Sequence, residues 1–540
     1  MATIPGANPI DTVGAIPPGL RPGANVASAL AHTARLHPGR PAVVDGAVRH
    51  DYGTLERRVA GLGGGLLGLG LRAGDVVGVL SLNSSRHLEC WLGVPRVGLV
   101  LNELNTRLAV AELAFILDDS AARALIVDDT FLDAGRSLVA SCSHLHHLVH
   151  MAGDGTAPAT AADGRDIVNY ETLVAPPAAP MTDSRTDDLA GIFYTGGTTG
   201  RSKGVMLTHG NLVANAKAML IELRYTAQDR YLHAGPMFHL ADGAATFAVT
   251  WVGGTHVFVP SFAPGPVAAV IEAERVTVST LVPTMINLFV NAPEVAAHDL
   301  SSLRCIMYGG SPMPAAVQQR AQEVLGCETV QCYGMTEASP AGTVCRIDGP
   351  VDEEPWATRV RSAGVPFTGV EVSVRRSDGA VADVDEVGEV WLRGPNIMAG
   401  YWRRPEETAA ALTSDGWYRS GDAGRMDTDG YLYIVDRMKD MIISGGENIY
   451  CTEVEAALIS HPAVLEVAVF GVPDDQWIER VHAVVVLREP GAACEEDFVT
   501  HCRPQIAGYK VPRSFDLRTE LLPKSGAGKI LKRELRAPYQ

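Results

Sequence analysis

Apolar and polar positions follow two periods along the chain. From residue 25, NVASALAHTARLHP places apolar side chains at helical spacing and stops at Pro38, which predicts a short amphipathic helix. PAVVDG (41–46), VVGVLSL (76–82) and ALIVDD (124–129) are compact β-rich runs between turn formers. Helical and strand patterns keep alternating, which predicts layered α/β architecture with largely parallel sheets. No repeat of fixed period interrupts the pattern. Beyond IVDRMKDMIISGGEN (434–448) the order becomes helix TEVEAALISH, strand VLEVAVFGVP, strand HAVVVLRE, helix EEDFVTHCRPQI and a basic tail, a small α+β unit of about a hundred residues. The expected fold is therefore α/β: a large N-terminal domain of layered sheets with a β-rich subdomain, then a small α+β C-terminal domain.

Four local patterns stand apart from this alternation. Residues 243–271 contain no Asp, Glu, Lys or Arg, but Gly253, Gly254, His256, Pro260, Pro264 and Pro266 divide them. No run reaches the ~18 apolar residues of a spanning helix, so the segment reads as buried core. TAPATAADG and VAPPAAPMTDSRTDD read as surface loops leading into a strand at Gly191. CSHLHHLVHM groups His144, His146, His147 and His150, with His144 and His146 expected on one strand face. A solvent-edge strand is preferred to a metal site there, because no carboxylate stands close by. Asp242, ahead of the apolar run AATFAV, is expected to N-cap a helix.

Composition narrows the function classes. A chain of 540 residues exceeds one core and implies at least two domains; 46% hydrophobic and 20% charged residues are the balance of a globular protein. Net charge is −17, from 45 basic and 62 acidic residues. This gives no general attraction for nucleic acid or anionic membrane, so an anionic ligand must be held by a local site. Nine cysteines form no CxxC pair, which leaves no zinc or disulfide framework and suits buried thiols in a reducing cytoplasm. The opening residues lack a basic n-region and an apolar h-region, so no signal peptide is expected.

FYTGGTTGRSKGVMLTHGN (193–211) concentrates glycine, hydroxyls and one lysine, a composition suited to phosphate. A Walker A loop needs its hydroxyl directly after the lysine and opens a helix. Here Gly204 follows Lys203, and the loop joins strand GIFYT to strand VMLT. It lacks the helix-terminus cradle of a P-loop, but its backbone N–H groups and threonines can still wrap phosphates. Three further motifs follow in order: QCYGMTEAS (331–339), YRSGDAGRMDTDGYLYIVDRMKD (418–440) and PKSGAGKILKREL (523–535).

Together the four motifs resemble the adenylate-forming enzymes, which include acyl-CoA synthetases, luciferases and peptide-synthetase adenylation domains. The resemblance runs from about residue 25 to 536 and is strongest to stand-alone bacterial-type acyl-CoA synthetases. It implies that Thr195, Gly196, Gly197, Thr198, Thr199, Gly200 and Lys203 hold the pyrophosphate of ATP. Thr336 would donate to the α-phosphate and Glu337 would bind Mg²⁺. Tyr333 and Gly334 would flank adenine, with Gly309, Gly310 and Ser311 at its edge. Asp422 would accept the ribose hydroxyls and Arg437 would add a ribose or phosphate contact. Lys529 would bridge the substrate carboxylate and the α-phosphate, where opposed anions need a cation between them.

The same resemblance implies a two-step reaction: acyl-AMP with pyrophosphate release, then transfer to coenzyme A. The C-terminal domain, 438–540, would rotate on 1–437 about Lys439 between the steps. Gly445, Gly446 and Glu447 would then line the coenzyme A channel. Cys451 and Ser202 stand where most relatives have proline. His239 would gate the acyl pocket, whose expected wall includes Ala241, Gly243, Ala244, Met307, Gly334, Ala338 and Pro340. No Lys or Arg lies in these wall segments, so a second carboxylate on the substrate would be desolvated and unpaired. An apolar and bulky acid, whether fatty, aryl or polycyclic, is expected. The alternatives are an acyl-AMP ligase that loads a carrier protein, and a non-catalytic acyl- or nucleotide-binding homologue. A carboxylic acid and coenzyme A are the expected partners, with no nucleic acid, no membrane span, a cytoplasmic setting and a homodimer as the candidate assembly.

Overall fold

The computed structural model describes residues 25–153, 166–175, 177–195, 202–311, 313–437, 440–444, 447–474, 477–524 and 530–539, without the side chains of Arg437, Ile443, Glu447, Asn448 and Ile478. The predicted elements form where the pattern put them. Ser28–Leu36 is a helix; Pro41–Asp45, Val76–Leu80 and Ala124–Asp128 are strands.

Among the described residues the strands build four sheets. One of nine strands has a parallel centre that includes Arg230–His233, Val278–Leu281, Cys305–Gly309 and Glu328–Gly334 as successive neighbours. One of eight strands is also parallel at its centre, and ends in the antiparallel pair Leu189–Thr195 and Lys203–Thr208. Four antiparallel strands between 371 and 437 form the β-rich subdomain. The last sheet belongs to the small C-terminal domain, with Val464–Asp474 paired along Ile478–Leu487.

An aromatic group packs two helices against the eight-stranded sheet. Trp91, on the helix Ser85–Arg96, stacks on Phe193 of the strand Leu189–Thr195, centroids 5.6 Å apart. Its edge meets Phe247 of the helix Ala245–Val252 at 5.8 Å. All three are buried, and burying each side chain contributes roughly 1.5–3 kcal/mol. The charge-free stretch supplies this core as expected, and no helix among the described residues is long and apolar enough to cross a membrane.

Two local readings are corrected. His144 and His146 precede the strand His147–Met151 and do not share its face. That strand is not an edge: it lies between Ala124–Asp128 and Ile167–Asn169, and His150 bonds Asp129 at 2.8 Å, a carboxylate 21 residues away in sequence. Asp242 is not an N-cap either. It is the third residue of the short helix Leu240–Gly243, whose N-cap is His239, with His239 Nδ1 accepting from Ala241 N at 3.2 Å.

Candidate active site

The parallel register aligns the carboxyl ends of four strands. Leu232 pairs with Ser279, Leu281 with Tyr308, and Gly309 with Cys332. The turn bearing His239, the Gly310–Ser311 turn and the Met335–Ala338 segment therefore leave along one sheet edge. Crevices outside the carboxyl ends of parallel strands are where open α/β sheets bind ligands. Gly310 has φ of +83°, which suits glycine. At Gly334 a Cβ would sit 1.9 Å from the Pro340 carbonyl oxygen, so only glycine admits this approach.

Tyr333 closes the strand Glu328–Gly334, and its hydroxyl donates to Asp422 Oδ2 at 2.7 Å. Asp422 comes from the β-rich subdomain, where it pairs in register with Arg437. Its backbone N–H donates to Ser420 Oγ at 3.0 Å. Two residues expected on opposite parts of a nucleoside, 89 apart in sequence, are thus in direct contact.

Thr336 and Glu337 form the 3₁₀ turn Thr336–Ala338. Glu337 Oε1 accepts from the Tyr401 hydroxyl at 2.9 Å, and its carbonyl accepts from Met398 N at 2.9 Å. The turn is further tied by Ser339 Oγ donating to the Asn396 carbonyl at 2.7 Å, and by Asn396 Nδ2 donating to the Ala338 and Ala341 carbonyls. Asn211 holds the same segment from the other side. It closes a reciprocal cap with Thr208 while its amide donates to the carbonyls of Pro395 and Ile397, each at 2.8 Å.

Tyr401 was not marked by any sequence motif. It lies on the two-residue strand Gly400–Tyr401, which pairs with Lys203–Thr208 through Tyr401 and Val205. Lys203 Nζ lies 5.2 Å from the Tyr401 ring centroid. One side chain thus connects the root of the glycine-rich loop to Glu337. Burial, and then the Glu337 charge, push the Tyr401 hydroxyl above the usual tyrosine range, so it remains a donor. Only the aromatic pair Tyr401 and Trp402 after Gly400 signals it in the sequence, and most such residues are core.

The fit of Mg²⁺ rests on donor chemistry. Glu337 offers carboxylate oxygens beside a hydroxyl, and among the described residues no Lys, Arg or His forms an ion pair with it. Hard oxygen donors suit Mg²⁺.

The expected acyl wall is buried. Ala244, Met307 and Ala338 belong to the cluster that contains Trp91, Phe193 and Phe247; Gly243 abuts Trp91, while Ala241 and Pro340 are half-buried. Thr195 and Lys203 face each other at the ends of their strands. Gly196, Gly197, Thr198, Thr199, Gly200, Lys439, Gly445, Gly446 and Lys529 lie outside the described residues, as do the side chains of Arg437 and Glu447.

Comparison with known proteins matches this arrangement to a class that adenylates carboxylic acids. Residues 30–402 match the AMP-binding enzyme family model, and residues 453–529 match the AMP-binding enzyme C-terminal domain. A feruloyl-CoA synthase from Amycolatopsis sp is 40% identical over 94% of this chain and 97% of its own. The long-chain-fatty-acid–CoA ligase FadD13 of Mycobacterium tuberculosis is 34% identical over 95% of this chain and 98% of its own. Among solved structures, O-succinylbenzoate coenzyme A synthetase (MenE) from Bacillus subtilis, in complex with ATP and magnesium ion, superposes with a TM-score of 0.79 at 30% identity, covering 94% of this chain and 98% of that one.

The chain belongs to the AMP-binding enzyme family, as an AMP-forming acyl-CoA synthetase. It uses ATP and Mg²⁺ to form acyl-AMP from a carboxylic acid, and then forms the thioester with coenzyme A.

Proposed function

We propose that the acid is apolar and bulky, of the aryl class, and that the residues named above carry the roles their motifs imply. The observation that supports the acid class is the wall: Gly243 abuts Trp91, Ala244, Met307 and Ala338 are buried in the apolar core, and its segments contain no Lys or Arg. An apolar body gains there from burial, whereas a second carboxylate would be stranded. Feruloyl, in the name of one relative, is an aryl group with a single carboxylate as well.

In this reading Tyr333 stacks on adenine and Asp422 accepts from ribose. Thr195, Thr198, Thr199 and Lys203, with the loop glycines, hold pyrophosphate as it leaves. Thr336 donates to the α-phosphate. Glu337 holds the Mg²⁺, which neutralises phosphate charge when bound. His239 orients the acid carboxylate at the mouth of the pocket. Lys529 enters from the C-terminal domain to bridge carboxylate and α-phosphate. The domain then turns about Lys439, and Gly445, Gly446 and Glu447 come to line the thiol's path. The gap between the two family matches, 403–452, brackets the proposed boundary at 437/438. Nine free thiols suit a reducing cytoplasm.

The test is a panel of ferulate, o-succinylbenzoate and a long-chain fatty acid. Pyrophosphate release and thioester formation are followed with and without coenzyme A. Preference for ferulate is expected; preference for the fatty acid, or for the dicarboxylate o-succinylbenzoate, overturns the acid class. Acid-dependent pyrophosphate release without a thioester would favour carrier loading.

A further inference from the structure

Behind the His239 turn runs a chain of buried polar side chains that the reaction scheme does not use. Asp242 Oδ2 bonds His233 Nδ1 at 2.6 Å. His233 Nε2 bonds His256 Nδ1 at 3.0 Å, and His256 Nε2 bonds Thr250 Oγ1 at 3.0 Å. Asp242 Oδ1 accepts from the Tyr231 hydroxyl at 3.0 Å, and that hydroxyl lies 2.8 Å from Thr280 Oγ1. All six side chains are buried.

The chain spans three elements of one sheet face. Tyr231 and His233 lie on Arg230–His233, His256 on Thr255–Phe258 and Thr280 on Val278–Leu281. Asp242, like Thr250 of the helix Ala245–Val252, lies off the strands: it belongs to the helix Leu240–Gly243 beyond the turn. Its carboxylate reaches back to the strand from which the turn departs, and so closes residues 233–242 into a loop.

A second clasp acts on the same turn. Asn83 Nδ2 donates to the carbonyls of His233 and Gly235 at 3.1 and 2.7 Å, and Asn83 Oδ1 accepts from Met237 N at 2.9 Å. Between the clasps, Phe238 and His239 are only half-buried. A buried polar chain is expensive to assemble beside apolar packing of equal volume. What it supplies and apolar packing does not is one fixed arrangement.

We propose that Asp242 is a positioning residue: through His233 and Tyr231 it fixes the His239 turn, and so places His239 for the acid carboxylate. This rests on the reading of His239 given above.

A double-mutant cycle on the full-length enzyme tests it, with ferulate, or with the panel acid turned over fastest. Asp242→Asn keeps the size of the side chain but leaves one acceptor where two bonds were received. It is expected to raise the KM for the acid by about 10-fold, the loss of one buried hydrogen bond, and to leave the KM for ATP within about twofold. In the His239→Ala background, Asp242→Asn should add nothing. If His239→Ala alone leaves the acid KM unchanged, the reading of His239 fails and the proposal falls with it. If His239→Ala raises the acid KM while Asp242→Asn does not, or if the two effects add, only the proposal falls. A parallel rise in the KM for ATP would mean general damage and also overturns it. Should Asp242→Asn fail to fold, Tyr231→Phe, which leaves the His233 bond intact, carries the same cycle with a smaller expected rise.

Discussion

The Tyr401 hydroxyl donates to Glu337 Oε1 at 2.9 Å while the Tyr401 ring lies under Lys203 Nζ at 5.2 Å. The carboxylate proposed for Mg²⁺ and the lysine proposed for pyrophosphate therefore share one neighbour. Tyr401→Phe keeps the ring and the lysine contact and removes only the donor. Loss of a hydrogen bond to a charged group costs about 1.5–3 kcal/mol, so the Mg²⁺ concentration for half-maximal pyrophosphate release should change by roughly tenfold or more. Magnesium titration of pyrophosphate release reads the shift. An unchanged Mg²⁺ titration would show that the Tyr401 hydroxyl does not shape the Glu337 site.

The division of labour between the domains gives a second expectation. A cation bridging carboxylate and α-phosphate matters only while acyl-AMP forms. Lys529→Ala should slow pyrophosphate release by on the order of 10²–10³, the effect of losing one transition-state donor. Thioester formation from supplied acyl-AMP should stay close to wild type. An equal fall in both halves would contradict the proposed rotation about Lys439.

The sheets were legible because two-residue and 3.6-residue periods report burial directly, as at Val76–Leu80 and Ser28–Leu36. The family was legible where four motifs fell in order, whereas the direct contact between Tyr333 and Asp422 was not, because the two lie 89 residues apart in sequence. Tyr401 and Asp242 escaped for a common reason. Each acts through a partner distant in sequence, Glu337 for Tyr401 and His233 with Tyr231 for Asp242, and spacing carries no signal of such pairs. His150 was misjudged in the same way, since its carboxylate, Asp129, comes from a neighbouring segment.

Acid stability should depend on His209. Its Nδ1 accepts from Val26 N at 3.2 Å, and it opens the helix His209–Glu222, where the dipole also disfavours a cation. Burial pushes its pKa down from 6.5 to about 4. The fold therefore holds His209 neutral while the unfolded chain takes up a proton below about pH 6.5. The contribution is fully present above that pH and is lost as pH falls toward 4, up to about 3 kcal/mol. Thermal unfolding between pH 7 and 4 should show the fall, and His209→Gln should flatten it by about one proton. An unchanged slope in the variant would mean that His209 is not the group responsible.

Two neighbouring glycines should respond differently to alanine. At Gly334 the new methyl would lie 1.9 Å from the Pro340 carbonyl oxygen, so backbone must move between Tyr333 and the Thr336–Ala338 turn. Overpacking of that kind costs about 1–3 kcal/mol, and the displacement falls between the residues proposed for adenine and for the α-phosphate. Gly334→Ala should lower the melting temperature and raise the KM for ATP by about 10-fold or more. At Gly310 nothing lies within 4 Å of a Cβ, and the obstacle is only φ of +83°. A left-handed alanine there costs roughly 1–2 kcal/mol but displaces no neighbour. Gly310→Ala should lose stability while its KM for ATP moves less. Measuring melting temperature and ATP KM for both variants separates a crowded backbone from a strained one. Equal rises in KM would mean that the backbone at Gly310, proposed at the adenine edge, is displaced as far as that at Gly334.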